Sequence, residues 1–189
     1  METSIENQLK PVSPESSTGI VHEILSRTQE QMGRIPLMYS GMANNPALLD
    51  SYIYSYESFH KHAGFTALEQ EVIFLSISVE NSCEYCVAAH SFVADKIAHI
   101  RHDIIHAIRN NTEISDPKIK SLSLFTRAVT RKRGYSSSDD LEHFYEAGYT
   151  AKDVLGIIAA VAIMTFSNYY NHIFHTELDK RYSEWAWSK

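Results

Sequence analysis

The feature that most constrains this chain is the stretch 71–94, EVIFLSISVENSCEYCVAAHSFVA, which holds both of its cysteines and a histidine at helical spacing from them. With Ser82 as the hydroxyl cap of a helix whose first turn contains Cys83, a rotation of about 100° per residue sets Cys83, Cys86, His90, Ala94 and Ile97 within a stripe roughly 60° wide. Two thiols and an imidazole then share one face, and Glu84 and Tyr85 point off it.

The segment before it, Ala67–Glu80, reads as a second helix, because Thr66 followed three residues on by Glu69 is a capping-box signature. Leu68, Glu71, Val72, Leu75 and Val79 form its apolar stripe, whereas Glu69, Gln70 and Glu80 fall away from it. An isolated buried carboxylate is costly, so Glu71 needs a partner. In an antiparallel hairpin about Asn81 and Ser82, positions whose numbers sum to about 163 stand at equal height, which sets Glu71 level with Phe92 and only about 3 Å from the height of His90. The expected chain of contacts is Glu71 to His90 to Cys86.

A chain of 189 residues with 44% hydrophobic side chains suits one domain with a sizeable core. The net charge of -6 excludes a nucleic-acid binder, which needs clustered Lys and Arg, and the run Arg131-Lys132-Arg133 reads as a helix C-terminus favoured by the macrodipole. The first residues lack the positive start and apolar run of a secretory signal, and no continuous apolar stretch is long enough to span a bilayer. A soluble, cytoplasmic protein without membrane association is expected. In a reducing compartment a Cys-x-x-Cys pair is a redox or metal motif before it is a permanent staple.

Residues 1–17, with Pro11 and Pro14, read as a polar arm that orders against a partner subunit, and 18–189 as the helical domain. Helices are expected at Gly19–Met32, 36–42, 46–61, 99–110, 117–132, 138–147 (capped by Ser138) and 151–175, with no alternating strand pattern. The helix at 46–61 carries Tyr52, Tyr54, Tyr56, Phe59 and His60, which either fill a core or line a pocket. His102 and His106 stand one turn apart without third and fourth ligands nearby, so they read as exposed histidines and no metal site is expected. Gly64-Phe65-Thr66-Ala67 is echoed by Gly148-Tyr149-Thr150-Ala151. At that offset Cys83 corresponds to Ser167 and Cys86 to Tyr170, leaving Asn168, Asn171, His172 and His175 as polar groups able to face the site of the first copy.

The thiolate, not the thiol, is the nucleophile, and three features lower a thiol pKa here. The helix N-terminus favours negative charge near Cys83 and Cys86. His90 can take the proton of Cys86, and Glu71 can orient the imidazole. Attack on a hydroperoxide would leave a sulfenic acid that the second cysteine condenses into a disulfide. Cys86, in i, i+4 relation to His90, is the expected attacking thiol and Cys83 the resolving one. Cys-x-x-Cys by itself is also compatible with half of a zinc site or two buried cysteines, but no second pair exists to complete a zinc ribbon.

Glu71, eleven residues, Cys83-x-x-Cys86, three residues and His90 resemble the motif of the alkylhydroperoxidase D-like branch of the carboxymuconolactone decarboxylase family. Asn45-Pro46-Ala47-Leu48-Leu49 and Ala147-Gly148-Tyr149-Thr150 extend the likeness over roughly 35–175, closest to the single-domain, peroxidase-related members. The resemblance implies an all-α helical bundle with the motif on a central hairpin, homo-oligomeric assembly, and no metal, haem or other cofactor. It also implies a proton relay and redox pair made of Glu71, Cys83, Cys86 and His90. The substrate would be a small-molecule hydroperoxide, and the reductant an external thiol or dithiol, a lipoyl-bearing protein being one candidate. Tyr85 stands where the alkylhydroperoxidases carry a histidine between the cysteines. Two other functions fit such a chain: a redox-sensing or oligomer-switching module without turnover, and a lactone decarboxylase, although the decarboxylases of the family lack the cysteine pair.

Overall fold

A computed structural model describes residues 9–189, and every regular element among them is helical. The α-helices are α1 (Gly19–Met32), α2 (Leu37–Met42), α3 (Pro46–His62), α4 (Ala67–Glu80), α5 (Glu84–Lys96), α6 (His102–Asn110), α7 (Pro117–Arg131), α8 (Ser138–Glu146) and α9 (Ala151–Phe174), with short 3₁₀ turns at Pro14–Ser16 and Lys180–Trp185. Their starts follow local chemistry. The Asn45 side chain accepts the backbone N–H groups of Ala47 and Leu48 ahead of Pro46, and Asp116 does the same for Lys118 and Ile119 ahead of Pro117. Ser137, not Ser138, caps α8, because its hydroxyl is the one that meets the Asp140 N–H. His99 takes a left-handed conformation and Ile100 bonds back to Ala94, so α6 begins at His102 rather than at 99.

The centre of the bundle is α4, packed against α5, α6, α7 and α9. It is buried on every side from Glu69 to Val79, which corrects the expectation that Glu69 and Gln70 fall outside the packed face. Both are bonded where they sit: Glu69 accepts from the Thr66 N–H and the Tyr149 hydroxyl, and the Gln70 amide donates to the Phe65 carbonyl.

Residues 1–8 lie outside the described part of the expected arm. The remainder, 9–17, is tied to its own chain. Val12 N–H donates to the Ser40 carbonyl at 3.0 Å, the Ser40 hydroxyl returns a bond to Val12, and Asn44 donates to Lys10. These bonds hold the stretch around Lys10 and Val12 against α2 and the turn that follows it.

The apolar content of the chain is concentrated in α9. Its 24 residues, with a mean hydropathy of 1.4 over the most apolar window, are long and apolar enough to cross a membrane by length and composition. It is not an unbroken apolar run, because Thr165, Ser167 and Asn168 interrupt it. In the fold, Ile157, Ala160, Ile163, Met164 and Asn168 of α9 face the bundle, while Leu155, Ile158, Tyr169 and Ile173 are exposed.

Candidate active site

The site is created where α4 stops and α5 starts. Asn81 ends α4, Ser82 turns into the left-handed region at φ 58°, and Cys83 N–H then reaches back to the Ser78 carbonyl at 2.9 Å. That backbone turn costs a non-glycine residue about 1–2 kcal/mol, and the Ser78 bond offsets it. The expected cap moves by one residue as a consequence. Cys83 is the N-cap of α5, and its Sγ accepts the Cys86 N–H at 3.4 Å. Cys83 and Cys86 are both buried and joined as a disulfide, with their Cα atoms 5.3 Å apart. The stripe continues through His90 and Ala94 and ends there, since Ile97 lies past the last turn and is exposed.

Glu71 and His90 meet across the hairpin as the height argument requires. The Glu71 carboxylate accepts from His90 Nδ1 at 2.9 Å, both side chains are buried, and the imidazole stacks on Phe74 with ring centroids 5.0 Å apart. Fixing Nδ1 as the donor leaves Nε2 as the nitrogen that can accept a proton.

Of the four polar residues expected to face the cysteines from α9, Asn168 and Asn171 do so, and His172 and His175 are exposed. The Asn168 amide donates to Cys86 Sγ at 3.0 Å, and the Asn171 amide to Cys86 Sγ at 3.2 Å and more distantly to Cys83 Sγ at 3.9 Å. Asn81 donates to the Asn168 carbonyl oxygen at 2.8 Å, so the Asn168 NH₂ group is turned to the sulfur. The two cysteines are therefore unequal. Cys86 faces two side-chain donors that strengthen toward an anionic sulfur, whereas Cys83 faces chiefly a backbone N–H.

Tyr85 is buried, not directed into solvent, and its hydroxyl donates to Asp179 at 2.6 Å. Asp179 in turn pairs with Arg34 at 2.5 Å and accepts the Leu37 N–H at 3.3 Å. Burial and then the neighbouring Asp179 charge push the Tyr85 pKa far above that of a free phenol. Tyr85 keeps its proton and holds the segment after α9 against the corner. Asp179 lies 94 residues from Tyr85, with no local signal to pair them.

Cys86 and His90 both border a cavity of about 230 Å³ that reaches the more exposed Arg27 and Glu57. Tyr52 and Tyr56 of α3 line it and Phe59 is core, so the aromatic run of that helix divides between pocket and packing. His102 is bonded to Asp95 at 3.1 Å and His106 is exposed. Among the described residues no three His, Cys, Asp or Glu side chains are grouped to hold a metal ion.

This arrangement, a central helical hairpin with the thiols at its corner and a long final helix beside it, is the alkylhydroperoxidase D-like fold. The chain is similar to a peroxidase-related protein from Ralstonia eutropha JMP134 described as an alkylhydroperoxidase AhpD core, at a TM-score of 0.82 and 20% identity over 92% of each chain. It is similar to a peroxidase-related protein from Silicibacter sp. TM1040 at 0.77 and 16%, over 95% of this chain and 97% of the other. A third likeness is to a cysteine-to-alanine variant of the debrominase Bmp8 in complex with 2,3,4-tribromopyrrole, at 0.80 and 14%, over 96% and 97%. No protein-family model matches the chain, and no curated protein does.

Proposed function

We propose that this protein is a thiol-dependent peroxidase that reduces hydroperoxides through Cys86 and Cys83, with His90 as base and Glu71 as its orienting partner. The observation that carries the reading is the setting of Cys86 Sγ. It lies within 3.0 and 3.2 Å of two buried amide donors, on the wall of a cavity shared with a carboxylate-bonded histidine. In the reduced protein His90 takes the Cys86 proton, and the thiolate attacks the terminal oxygen of R–O–O–H. The O–O bond breaks, an S–O bond forms, and the alkoxide leaves as the alcohol on receiving a proton from the imidazolium. Cys83 then displaces water from the Cys86 sulfenic acid, forming the disulfide of the present structure.

An external dithiol must return two electrons and two protons to that disulfide, and a lipoyl-bearing protein is of suitable chemistry. No metal or other cofactor takes part in the proposed cycle. By the same reading the protein is a cytoplasmic homo-oligomer, and the exposed apolar residues Leu155, Ile158 and Ile173 of α9 favour self-association. The test is turnover of cumene hydroperoxide with a dithiol reductant. Cys86→Ser is expected to abolish it, Cys83→Ser to permit one stoichiometric oxidation, and full turnover by Cys86→Ser contradicts the assignment.

A second reading comes from the debrominase likeness and the aromatic lining of the cavity. The same thiol pair can supply two electrons to a brominated ring, exchanging a C–Br for a C–H bond and yielding the disulfide and bromide. Bromide release from 2,3,4-tribromopyrrole under the same reductant distinguishes the two activities.

A further inference from the structure

The cavity that ends at Cys86 is rich in phenol rings, set among apolar side chains such as Met38, Ile53 and Val93. Tyr39, Tyr52, Tyr56, Tyr85 and Tyr182 all line it. Tyr39 meets Tyr52 edge to face and Tyr52 stacks with Tyr56, each pair at 5.8 Å between centroids, while Tyr85 and Tyr182 form an edge contact at 6.0 Å. Burial pushes the pKa of all five upward, so they present neutral hydroxyls and aromatic faces at physiological pH.

The charges of the lining are already matched. Arg27 is paired with Glu57 at 2.9 Å toward the exposed end, and His90 is bonded to Glu71 at the buried end. A carboxylate entering the cavity would meet no unpaired cation among these groups, so its charge would go unneutralised.

Size narrows the occupant further. An apolar cavity of about 150 Å³ holds one benzene ring, and a water occupies about 30 Å³ of liquid. The 230 Å³ beside Cys86 therefore accommodates one ring and a short branched substituent of a few heavy atoms. A fatty-acyl chain exceeds it. Edge-to-face contacts with the tyrosine rings favour an aromatic over an aliphatic occupant of similar bulk.

We propose that the substrates of this site are neutral, single-ring aromatic hydroperoxides, with Tyr52 and Tyr56 as the specificity-determining rings. This rests on the thiol-peroxidase reading, which supplies the hydroperoxide chemistry, but ring recognition can be measured apart from turnover. The first measurement is calorimetric binding of cumyl alcohol, the product of cumene hydroperoxide, to the disulfide form, with tert-butanol as the aliphatic comparison. The second is kcat/KM for cumene, tert-butyl and linoleic acid hydroperoxides with a dithiol reductant.

Saturable binding of cumyl alcohol, at least about tenfold tighter than tert-butanol, is expected, together with a similar preference in kcat/KM for cumene hydroperoxide. Tyr56→Ala is expected to erase most of that preference and to admit bulkier, two-ring hydroperoxides. If that variant does not fold, the wild-type measurements decide the matter by themselves. Equal affinities for the two alcohols, or equal kcat/KM for all three hydroperoxides, overturns the ring site and leaves the peroxidase reading intact. Selective binding of cumyl alcohol without turnover of any hydroperoxide supports the ring site and overturns the peroxidase.

Discussion

Two corners of this molecule begin alike and end differently. Gly64-Phe65-Thr66-Ala67 leads into α4, and Gly148-Tyr149-Thr150-Ala151 leads into α9. Both glycines are left-handed, at φ 82° and 90°, both aromatic residues are buried, and in both a threonine N–H donates to an acid three residues on. From there the paths separate. The first helix stops after 14 residues, reverses at Ser82, and so produces a second helix N-terminus occupied by Cys83 and Cys86. The second runs unbroken for 24 residues, and the positions matching the cysteines, Ser167 and Tyr170, stay inside a regular helix. A break in the chain is what gives the thiols a helix end, with His90 one turn further along that helix bonded to Glu71 across the hairpin. The unbroken helix contributes neutral amides, Asn168 and Asn171, to the Cys86 sulfur. One helix hairpin carries the thiols, and the other helix brings two amides to them.

The largest effect that would test this division is on the broken corner. His90→Ala is expected to lower peroxide turnover by roughly 10²–10⁴, and Glu71→Gln by less, because the imidazole loses the carboxylate that orients it. Unchanged turnover in Glu71→Gln would detach Glu71 from the chemistry.

The unbroken corner comes next. Each of Asn168→Ala and Asn171→Ala removes a donor to Cys86 Sγ, and hydrogen bonds to charged groups are worth about 1.5–3 kcal/mol each. The Cys86 thiolate pKa should rise by roughly one to two units in either variant. Asn81→Ala, which frees the Asn168 amide to rotate, should raise it less.

The matched entry turns should respond equally. A Cβ at Gly64 or Gly148 meets no atom within 4 Å, so Gly64→Ala and Gly148→Ala express only the strain of the left-handed backbone. A loss of about 1–2 kcal/mol in each is expected by denaturant unfolding. A much larger loss at one turn would show that the two corners are not equivalent.

The smallest effect concerns the first capping box. Burial raises the Glu69 pKa, but the bonds from Thr66, Tyr149 and Lys118 outweigh it and hold the carboxyl below its ordinary 4.5. The ionised group thus stabilises the fold above the unfolded value, and that contribution is lost as pH falls through the folded one. Glu69→Gln should cost about 1 kcal/mol at neutral pH, with the deficit shrinking as the medium is acidified below pH 4.5.

Local chemistry makes much of this legible before any coordinates. Proline, glycine and capping residues mark the helix ends to within one or two positions, except at 99–101, where left-handed His99 delays α6. Helical spacing and hairpin height bring Glu71 to His90 because both are set by regular rises along two adjoining helices. What escapes is whatever depends on irregular backbone or distant partners. The cap passes from Ser82 to Cys83 through one left-handed residue. Glu69 and Gln70 look exposed on the period of α4 alone, because periodicity cannot tell that other elements cover their side. The Tyr85–Asp179 and Asn81–Asn168 bonds join residues 94 and 87 positions apart, and only the echo of the two entry turns hints that α9 faces the thiols.

The proposed choice of Cys86 over Cys83 as the attacking sulfur can be read by titrating the thiolate ultraviolet absorbance of Cys83→Ser and Cys86→Ser side by side. Cys86, alone in Cys83→Ser, is expected to ionise below the ordinary thiol value of about 8.5 and below Cys83 alone in Cys86→Ser. Cys86 titrating at or above that ordinary value, or Cys83 ionising first, would contradict it.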